Sequence, residues 1–206
     1  WYLRAPSEVT YRQLLKQNVL SNSSALVRKE LYAKYYAVGD KMHEDFAIWL
    51  SILKNGRKAY GVDEPLLIYR IAKSSKSGNK FKAAKMNWNT YRYIGFNDCS
   101  TDRTAELVKS IATKDSRVRL ISNVKNNGVS YTRKHGLEEA KGSWIAILDS
   151  DDAWAPEKLE KQIDLQRRTN ADLLFTGSAF MDSEGHPIDW YLRAPSEVTY
   201  RQLLKQ

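Results

Sequence analysis

Three aspartates lie within four positions directly after an apolar run. The run is Ile145–Leu148, and the aspartates are Asp149, Asp151 and Asp152. An apolar run that ends abruptly in carboxylates is typical of an interior strand whose carboxyl end opens into the ligand crevice of an α/β sheet. Mg²⁺ and Mn²⁺ prefer oxygen ligands and leave room for phosphate oxygens. Because alternate strand residues point to one side, Asp149 and Asp151 are predicted to share one ion.

An ordinary structural role competes with this metal site. Acidic residues are common at helix starts, where Pro156 would occupy the first turn and Glu157 would complement the helix dipole. Asp152 in particular is a candidate cap for that helix. Three carboxylates where a cap needs only one favour the metal site.

A second acidic pair, Glu44 and Asp45, is predicted to open another helix. Its apolar face would be formed by residues at helical spacing, namely Phe46, Trp49, Leu50 and Leu53. The pair either compensates the helix dipole or supplies a general base. The second role requires Asp45 to share a cleft with the metal site.

The segment Trp1–Gln17 recurs without change as Trp190–Gln206. Natural repeats diverge and stack in larger arrays, so two identical terminal copies indicate a rearranged coding sequence. Reading from Asn97 to the carboxyl end and continuing at Asn18 gives an uninterrupted text. The chain is therefore predicted to be circularly permuted, and a tandem duplication of a short interaction helix is the alternative.

Length and composition predict one α/β domain, because 206 residues with 42% hydrophobic content suffice for a single core. The lone cysteine, Cys99, excludes an intramolecular disulfide and a cysteine-based zinc site, and it fits a reducing cytoplasm. The sequence contains no apolar run of the ~20 residues that span a bilayer, and Trp1 is followed by charged residues. Export and membrane spanning are not expected.

The formal net charge of +9 raises the question of nucleic-acid binding. Basic residues cluster in Arg70–Lys85 and Arg117–Lys134, yet neither cluster matches a zinc finger, an RNA-binding strand or a basic zipper. A basic surface equally attracts phosphate-bearing substrates or an anionic membrane leaflet. We expect those partners rather than nucleic acid.

Strand and helix patterns alternate along the rest of the chain, which predicts a doubly wound, mostly parallel sheet flanked by helices. A strand ending near Phe96 would lead into a helix capped by Ser100, Thr101 or Asp102. The other predicted strands are Ser24–Val27, Val118–Ile121, Trp144–Leu148 and Asp172–Ser178. The other predicted helices are Trp88–Tyr93, Ser130–Ala140 and Pro156–Arg168, and Ser183–His186 is a predicted hairpin turn.

Four segments resemble successive signatures of the family 2 inverting glycosyltransferases, which are nucleotide-sugar-dependent enzymes with the GT-A fold. They are Asn97–Thr104, Asn127–Lys134, Gly142–Asp152 and His43–Leu50. In the unpermuted order the resemblance covers nearly the whole chain. It implies one glycosyltransferase domain over residues 1–206, with a donor-binding part at 97–206 and an acceptor and catalytic-base part at 1–96.

The resemblance also implies roles for individual residues in binding a UDP-sugar. Asp98 would hydrogen-bond the uracil, and Arg133 would lie near the base or the diphosphate. Asp149 would sit by the ribose, and Asp151 would hold Mn²⁺ or Mg²⁺ against the diphosphate. The two aspartates together are the predicted metal ligands.

The implied reaction is a single displacement in which Asp45 removes the proton from an acceptor hydroxyl and the anomeric centre inverts. The acceptor would be a glycan or a lipid-linked sugar at the cytoplasmic face of a bacterial plasma membrane, in cell-envelope polysaccharide biosynthesis. Charge and loop composition add Arg70, or a lysine of the Lys73–Lys80 loop, as a further contact to the diphosphate.

One departure from the family pattern concerns the start of the domain. The family begins with a hydrophobic strand and helix, and Tyr91–Phe96 is too short and polar to replace them. A central strand is therefore predicted to be missing, which would expose two sheet edges. Two alternatives to an active enzyme stay open: an inactive rearranged fragment that forms a domain-swapped homo-oligomer, and a basic nucleic-acid-binding module.

Overall fold

A computed structural model describes residues 4–16, 18–36, 44–54, 56–71, 93–97 and 102–188. The helices in these ranges are α1 (Tyr11–Lys16), α2 (Lys29–Tyr35), α3 (Glu44–Leu53), α4 (Thr104–Ala112), α5 (Val129–Glu139) and α6 (Lys158–Thr169). The strands are β1 (Glu8–Val9), β2 (Leu26–Arg28), β3 (Ala59–Arg70), β4 (Tyr93–Asn97), β5 (Val118–Ser122), β6 (Trp144–Ala146), β7 (Ala153–Trp154), β8 (Leu173–Met181) and β9 (Pro187–Ile188). A short 3₁₀ turn, Asn22–Ser24, precedes β2.

The strands form a seven-stranded sheet and a separate two-stranded sheet. The larger sheet runs β1-β3-β8-β2-β6, with β7 beside β3 and β9 beside β8. Its longest ladder, β3 with β8, is parallel, as is β4 with β5, and the shorter ladders are antiparallel. The predicted α/β class is confirmed. The sheet is mixed because β2 pairs with strands far away in the sequence, so alternation along the chain does not determine its direction.

The main core lies between β8 and the helices α2 and α3. Trp49 is fully buried and its ring lies 5.8 Å from that of Tyr32. Phe175 of β8 belongs to the same cluster and has no exposed surface. The predicted apolar face of α3 is confirmed and is wider than expected, because Ile48 and Ile52 are also buried.

Most predicted elements are present with shifted ends. Helix α6 begins at Lys158, two residues after Pro156, and β6 stops at Ala146. The side chains of β6 are half-buried, although the apolar run predicts an interior strand. The physical reason is that, among the described residues, β6 has one sheet neighbour, the three-residue strand β2.

The segment before Asn97 differs from expectation. Tyr93 begins strand β4, so the helix predicted for Trp88–Tyr93 is wrong at its last residue, and the rest of that segment lies outside the described residues. The predicted strand that ends near Phe96 is confirmed, because Tyr93–Asn97 forms β4 and pairs along its whole length with β5.

The first copy of the repeated segment is part of the fold. Its described residues form β1 and α1, and Val9 and Leu14 are buried in the main core. The second copy, residues 190–206, lies outside the described residues. No helix in the described part of the chain is long and apolar enough to cross a membrane.

Candidate active site

The three clustered aspartates lie on a turn between β6 and β7. The N–H of Asp152 donates to the carbonyl of Asp149 at 3.0 Å and closes the turn. The strand alternation expected to point Asp149 and Asp151 to one side is therefore wrong, because neither residue lies in a strand. Instead, the three carboxylates belong to the turn Asp149–Asp152, which we call the acidic turn.

Asp152 is the most buried of the three, with 7% of its surface exposed. Its Oδ1 accepts the N–H of Arg70 at 3.2 Å, and its carboxylate is hydrogen-bonded by Ser23. Burial raises its pKa to about 6, and the neighbouring negative charges of Asp151 and Asp149 act in the same direction. Asp152 does not cap α6, because Glu157 occupies the N-cap position.

Ser23, in the 3₁₀ turn before β2, makes hydrogen bonds to two residues of the acidic turn. Its hydroxyl accepts the N–H of Asp149 at 3.1 Å. Its carbonyl accepts the indole N–H of Trp154 at 2.7 Å. The acidic turn is therefore anchored by a segment that is remote in sequence, and no local motif identifies Ser23.

Arg133 and Asp149, both predicted to bind the nucleotide, form an ion pair. Arg133 comes from the first half of α5, and the two side chains are 20% and 34% exposed. The structure thus brings these two residues together at the edge of the acidic turn. Their roles in nucleotide binding stay predictions.

Asp45 lies in the first turn of α3. Its Oδ1 accepts the N–H of Phe46 at 2.8 Å, so the carboxylate stabilises the start of the helix. This contact occupies one oxygen and is compatible with a further role for the other. The predicted helix-start function is therefore present, and the catalytic function stays a prediction.

The pKa of Tyr69, in β3, is affected by the charges of both Asp45 and the acidic turn. Burial raises the pKa of its phenol above the ordinary value, and the negative charges of Asp152, Asp151, Asp149 and Asp45 raise it further, in that order. Tyr69 follows the β3 residues that pair with β7, which places it beside the turn. Negative charges from two distant segments therefore act on one phenol, that of a residue that is 42% exposed. Sequence reasoning missed Tyr69, because an aromatic residue in a strand is ordinary.

The guanidinium of Arg70 makes hydrogen bonds to backbone carbonyls of two segments. Its Nε donates to the carbonyl of Asp151 at 3.1 Å, and its Nη1 donates to the carbonyls of Asp182 at 2.9 Å and Ser183 at 3.0 Å. These bonds fasten the acidic turn to the hairpin between β8 and β9. Contact with a diphosphate stays a prediction, and Lys73–Lys80 lie outside the described residues.

Asp98, the predicted uracil contact, lies outside the described residues, as do Cys99 and His43.

The carboxylate oxygens of the acidic turn suit a hard divalent cation, and a bound ligand would complete the coordination of that cation. In the described ranges no three His, Cys, Asp or Glu side chains are grouped as a metal centre by themselves. The carboxylates of Asp149 and Asp151 offer oxygen donors, and their negative charges add to the effect of burial, which is the main cause of the raised pKa values of Asp152 and Tyr69. A site with one or two carboxylates matches the way proteins bind Mg²⁺ and Mn²⁺ beside phosphates.

Fold and site together define an α/β protein with a carboxylate cluster at the edge of its sheet, beside an arginine-bearing helix. Residues 76–205, more than half of the chain, match the model of Glycosyl transferase family 2, and the chain belongs to that family. The matched range includes the acidic turn and Arg133, whereas Asp45 and Tyr69 lie outside it.

Three bacterial relatives are named as glycosyltransferases or as a polysaccharide biosynthesis protein. The chain is 37% identical over 115 residues to TuaG of Bacillus subtilis (strain 168), named as a proposed teichuronic acid biosynthesis glycosyltransferase; the match covers 56% of this chain and 46% of the relative. It is 31% identical over 121 residues to the Escherichia coli protein UDP-Glc:alpha-D-GlcNAc-diphosphoundecaprenol beta-1,3-glucosyltransferase WfgD, covering 59% and 46%. It is 33% identical over 105 residues to the succinoglycan biosynthesis protein ExoO of Rhizobium meliloti (strain 1021), covering 51% and 30%.

The chain spans about half the length of the first of these relatives. No solved structure matches the chain.

Proposed function

We propose that the protein transfers a sugar from a nucleotide sugar, UDP-sugar by preference, to a glycan or lipid-linked acceptor with inversion, in cell-envelope polysaccharide biosynthesis. The names of the relatives support this class: one names UDP-Glc and a GlcNAc-diphosphoundecaprenol, and the other two name the biosynthesis of teichuronic acid and of succinoglycan. The family match does not favour an inactive swapped fragment or a nucleic-acid-binding module.

The observation that carries the proposal is the convergence of charge on Tyr69. Asp45 comes from α3, whereas Asp149, Asp151 and Asp152 come from the turn after β6, and all four act on the same phenol. A base and a set of diphosphate-binding carboxylates must face one space if an acceptor hydroxyl is to attack a bound sugar. That the charges of both segments act on Tyr69 supports such an arrangement.

In the proposed reaction Asp45 accepts the proton of the acceptor hydroxyl as its oxygen forms a bond to the anomeric carbon. The bond from that carbon to the nucleoside diphosphate breaks on the opposite face, so the configuration inverts. The diphosphate leaves with the electron pair of the broken bond. One oxygen of Asp45 holds the helix start, which fixes the direction of the carboxylate.

The donor would be held by residues of the 97–206 part. Arg133 would contact the base or the diphosphate, Asp98 the uracil and Asp149 the ribose. Asp151, with Asp149, would hold Mn²⁺ or Mg²⁺. Such an ion, when bound, supplies positive charge that stabilises the departing diphosphate. Arg70 orients the acidic turn through its bond to the Asp151 carbonyl.

We further propose that residues 1–206 are one domain in rearranged order, and that the part of the chain the structure describes lacks a central strand between β6 and β4. Two observations support this. Among the described residues β6 is an end strand of the larger sheet, and β4 with β5 forms a sheet of its own. A strand between them would join the two sheets into one.

A position at the inner face of the plasma membrane is part of the same proposal. The formal net charge of +9 favours contact with anionic lipid, and a lipid-linked acceptor would be presented there. Retention by phosphatidylglycerol-containing vesicles, lost at high salt, would test it.

Calorimetric titration of UDP with and without Mn²⁺ tests the donor site. We expect binding that requires Mn²⁺ and is lost in Asp151→Asn. The matched control is Asp164→Asn, an exposed aspartate on α6 that pairs with Arg167. Binding by a folded parent chain that is indifferent to Mn²⁺ and to Asp151→Asn would refute the metal assignment.

Replacement of Asp45 tests the base. Asp45→Asn is expected to keep Mn²⁺-dependent UDP binding and to lower transfer by about 10²–10⁴-fold, the usual contribution of a positioned base. Transfer is measured with UDP-glucose and a diphosphate-linked GlcNAc acceptor. Parental transfer by Asp45→Asn would show that another residue is the base.

A further inference from the structure

A lysine with no exposed surface lies behind the acidic turn. Lys158 is the first residue of α6, and Gln162, one helical turn later, is equally buried. Burial lowers the pKa of the Lys158 ammonium to about 7, and burial is its one resolved cause, so no carboxylate of the described chain offsets it. A buried amine without an ion-pair partner is costly, whereas a methionine would fill the same space without that cost.

The amine of Lys158 makes two defined contacts. It donates to Oε1 of Gln162 at 2.9 Å. It also lies 4.2 Å from the ring centroid of Trp154, which is a cation–π distance. The two contacts hold an amide and an indole in fixed orientations.

Both partners of Lys158 act on the 3₁₀ turn. Because Oε1 of Gln162 accepts from the lysine, its Nε2 faces the other way and donates to the carbonyl of Ser24 at 3.0 Å. The indole N–H of Trp154 donates to the carbonyl of Ser23 at 2.7 Å. Two adjacent carbonyls thus accept hydrogen bonds from side chains that Lys158 contacts.

The hydroxyl of Ser23 connects these contacts with the acidic turn. It accepts the N–H of Asp149, and Ser23 hydrogen-bonds the Asp152 carboxylate. A continuous series of contacts therefore runs from the buried amine to the backbone of one predicted metal ligand. Supporting contacts of this kind orient the groups that bind a metal.

We propose that Lys158 is a positioning residue that, through Trp154 and Gln162, sets the orientation of Ser23 and with it the geometry of the metal- and diphosphate-binding turn. The proposal rests on the proposed function for its effect on donor binding. Its structural part, the orientation of Trp154 and Ser23, does not.

The test compares Lys158→Met with Lys161→Met. Both remove one amine from α6, but Lys161 is partly exposed and pairs with Glu64 outside the series of contacts. We expect Lys158→Met to melt at or above the parental temperature and to lose about tenfold or more in Mn²⁺-dependent UDP affinity, within the range of supporting-residue effects. Lys161→Met should bind as the parent does. A purely structural lysine would lower affinity only in step with thermal stability.

A second variant covers the case in which Lys158→Met does not fold. Trp154→Phe keeps an aromatic ring over the amine but removes the N–H that reaches Ser23. It is expected to lose UDP affinity while it stays folded. Parental affinity in a folded Lys158→Met, or in Trp154→Phe, overturns the proposal.

An NMR measurement separates this inference from the proposed function. Trp154→Phe identifies the Trp154 indole N–H signal in the parent, and Lys158→Met should move that signal and speed its hydrogen exchange even without nucleotide. If the parent binds no UDP while the signal moves, the proposed function fails and the positioning role stands. An unmoved signal refutes the positioning role whatever the parent binds.

Discussion

The two sheets of this molecule differ in how firmly they are packed. In the seven-stranded sheet, Leu173, Leu174 and Phe175 of β8 have no exposed surface and join strands and helices from both ends of the chain. Beside the two-stranded sheet, Val118 is buried while Leu107 of α4 is 41% exposed. The carboxylates therefore rest on the well-packed part, which is the part able to hold a precise geometry.

Helix α5 links the two parts. Its Leu137 belongs to the main core, and the hydroxyl of Tyr36 donates to the carbonyl of Ser130 at 2.7 Å. Arg133 lies between these two anchors and pairs with Asp149. The predicted nucleotide contact is thus held by the larger sheet even though it follows the smaller one in sequence.

The largest expected difference between the two parts is in core stability. Leu173→Ala should lower the free energy of unfolding by about 2–5 kcal/mol, because the side chain is fully buried. Leu107→Ala, the same chemical change beside the smaller sheet, should cost within about 0.5 kcal/mol. Urea unfolding followed by circular dichroism measures both. Equal losses would mean that the two parts are packed alike.

Two aspartates should give stability a pH dependence of opposite sign. The pKa of Asp152 is raised to about 6 by burial, so its contribution is present below pH 4 and is lost as the pH rises through 6. Asp152→Asn should remove that loss, so its free energy of unfolding at neutral pH should exceed that of the parent by about 1–3 kcal/mol. Melting temperatures from pH 4 to pH 8 measure it, and a pH-independent difference would contradict the assignment.

Asp115, before β5, provides the opposite case. The hydrogen bond from Arg117 lowers the pKa of Asp115 to about 2, so its contribution is present above pH 4 and is lost as the pH falls toward 2. Asp115→Asn should be less stable than the parent at neutral pH, and the difference should shrink as the pH falls through the native pKa of about 2. Melting curves from pH 5 to pH 2 decide the point, and a difference of constant size across that range would exclude the ion pair as its cause.

The smallest expected difference concerns surface charge. Asp172 accepts Nε of Arg28 at 2.8 Å and Nε of Arg57 at 3.1 Å, at the start of β8. Asp172→Ala should cost about 1 kcal/mol. Glu106→Ala removes the exposed pair with Arg103 on α4 and should cost less than about 0.5 kcal/mol. Chemical denaturation compares them, and a greater loss in Glu106→Ala would reverse the comparison.

Regular periodicity made parts of the fold predictable. The apolar face of α3 and the strand β5 follow from residue spacing over a few turns or positions, and both are present. The sheet order was not predictable, because β2 lies between β6 and β8 through pairings that cross the whole sequence. Backbone pairing between remote segments leaves no local pattern.

The candidate site divides in the same way. The position of Asp149 and Asp151 directly after an apolar run marked them as candidate site residues, because charged side chains at the end of a predicted interior strand indicate a specific role. Nothing local marked Tyr69, Ser23 or Lys158, since a strand tyrosine, a serine before a strand and a lysine at a helix start are all ordinary.

The sequence alone determined which residue types were available: clustered carboxylates, an arginine on a helix and an aspartate at a helix start, in an order typical of one enzyme family. Only the tertiary structure decided that the charges of Asp45 and of the acidic turn act on the same phenol and that Lys158 is buried. The reason is physical. Residue type and spacing determine local conformation, whereas burial and the distance between charges depend on segments that meet only when the chain folds.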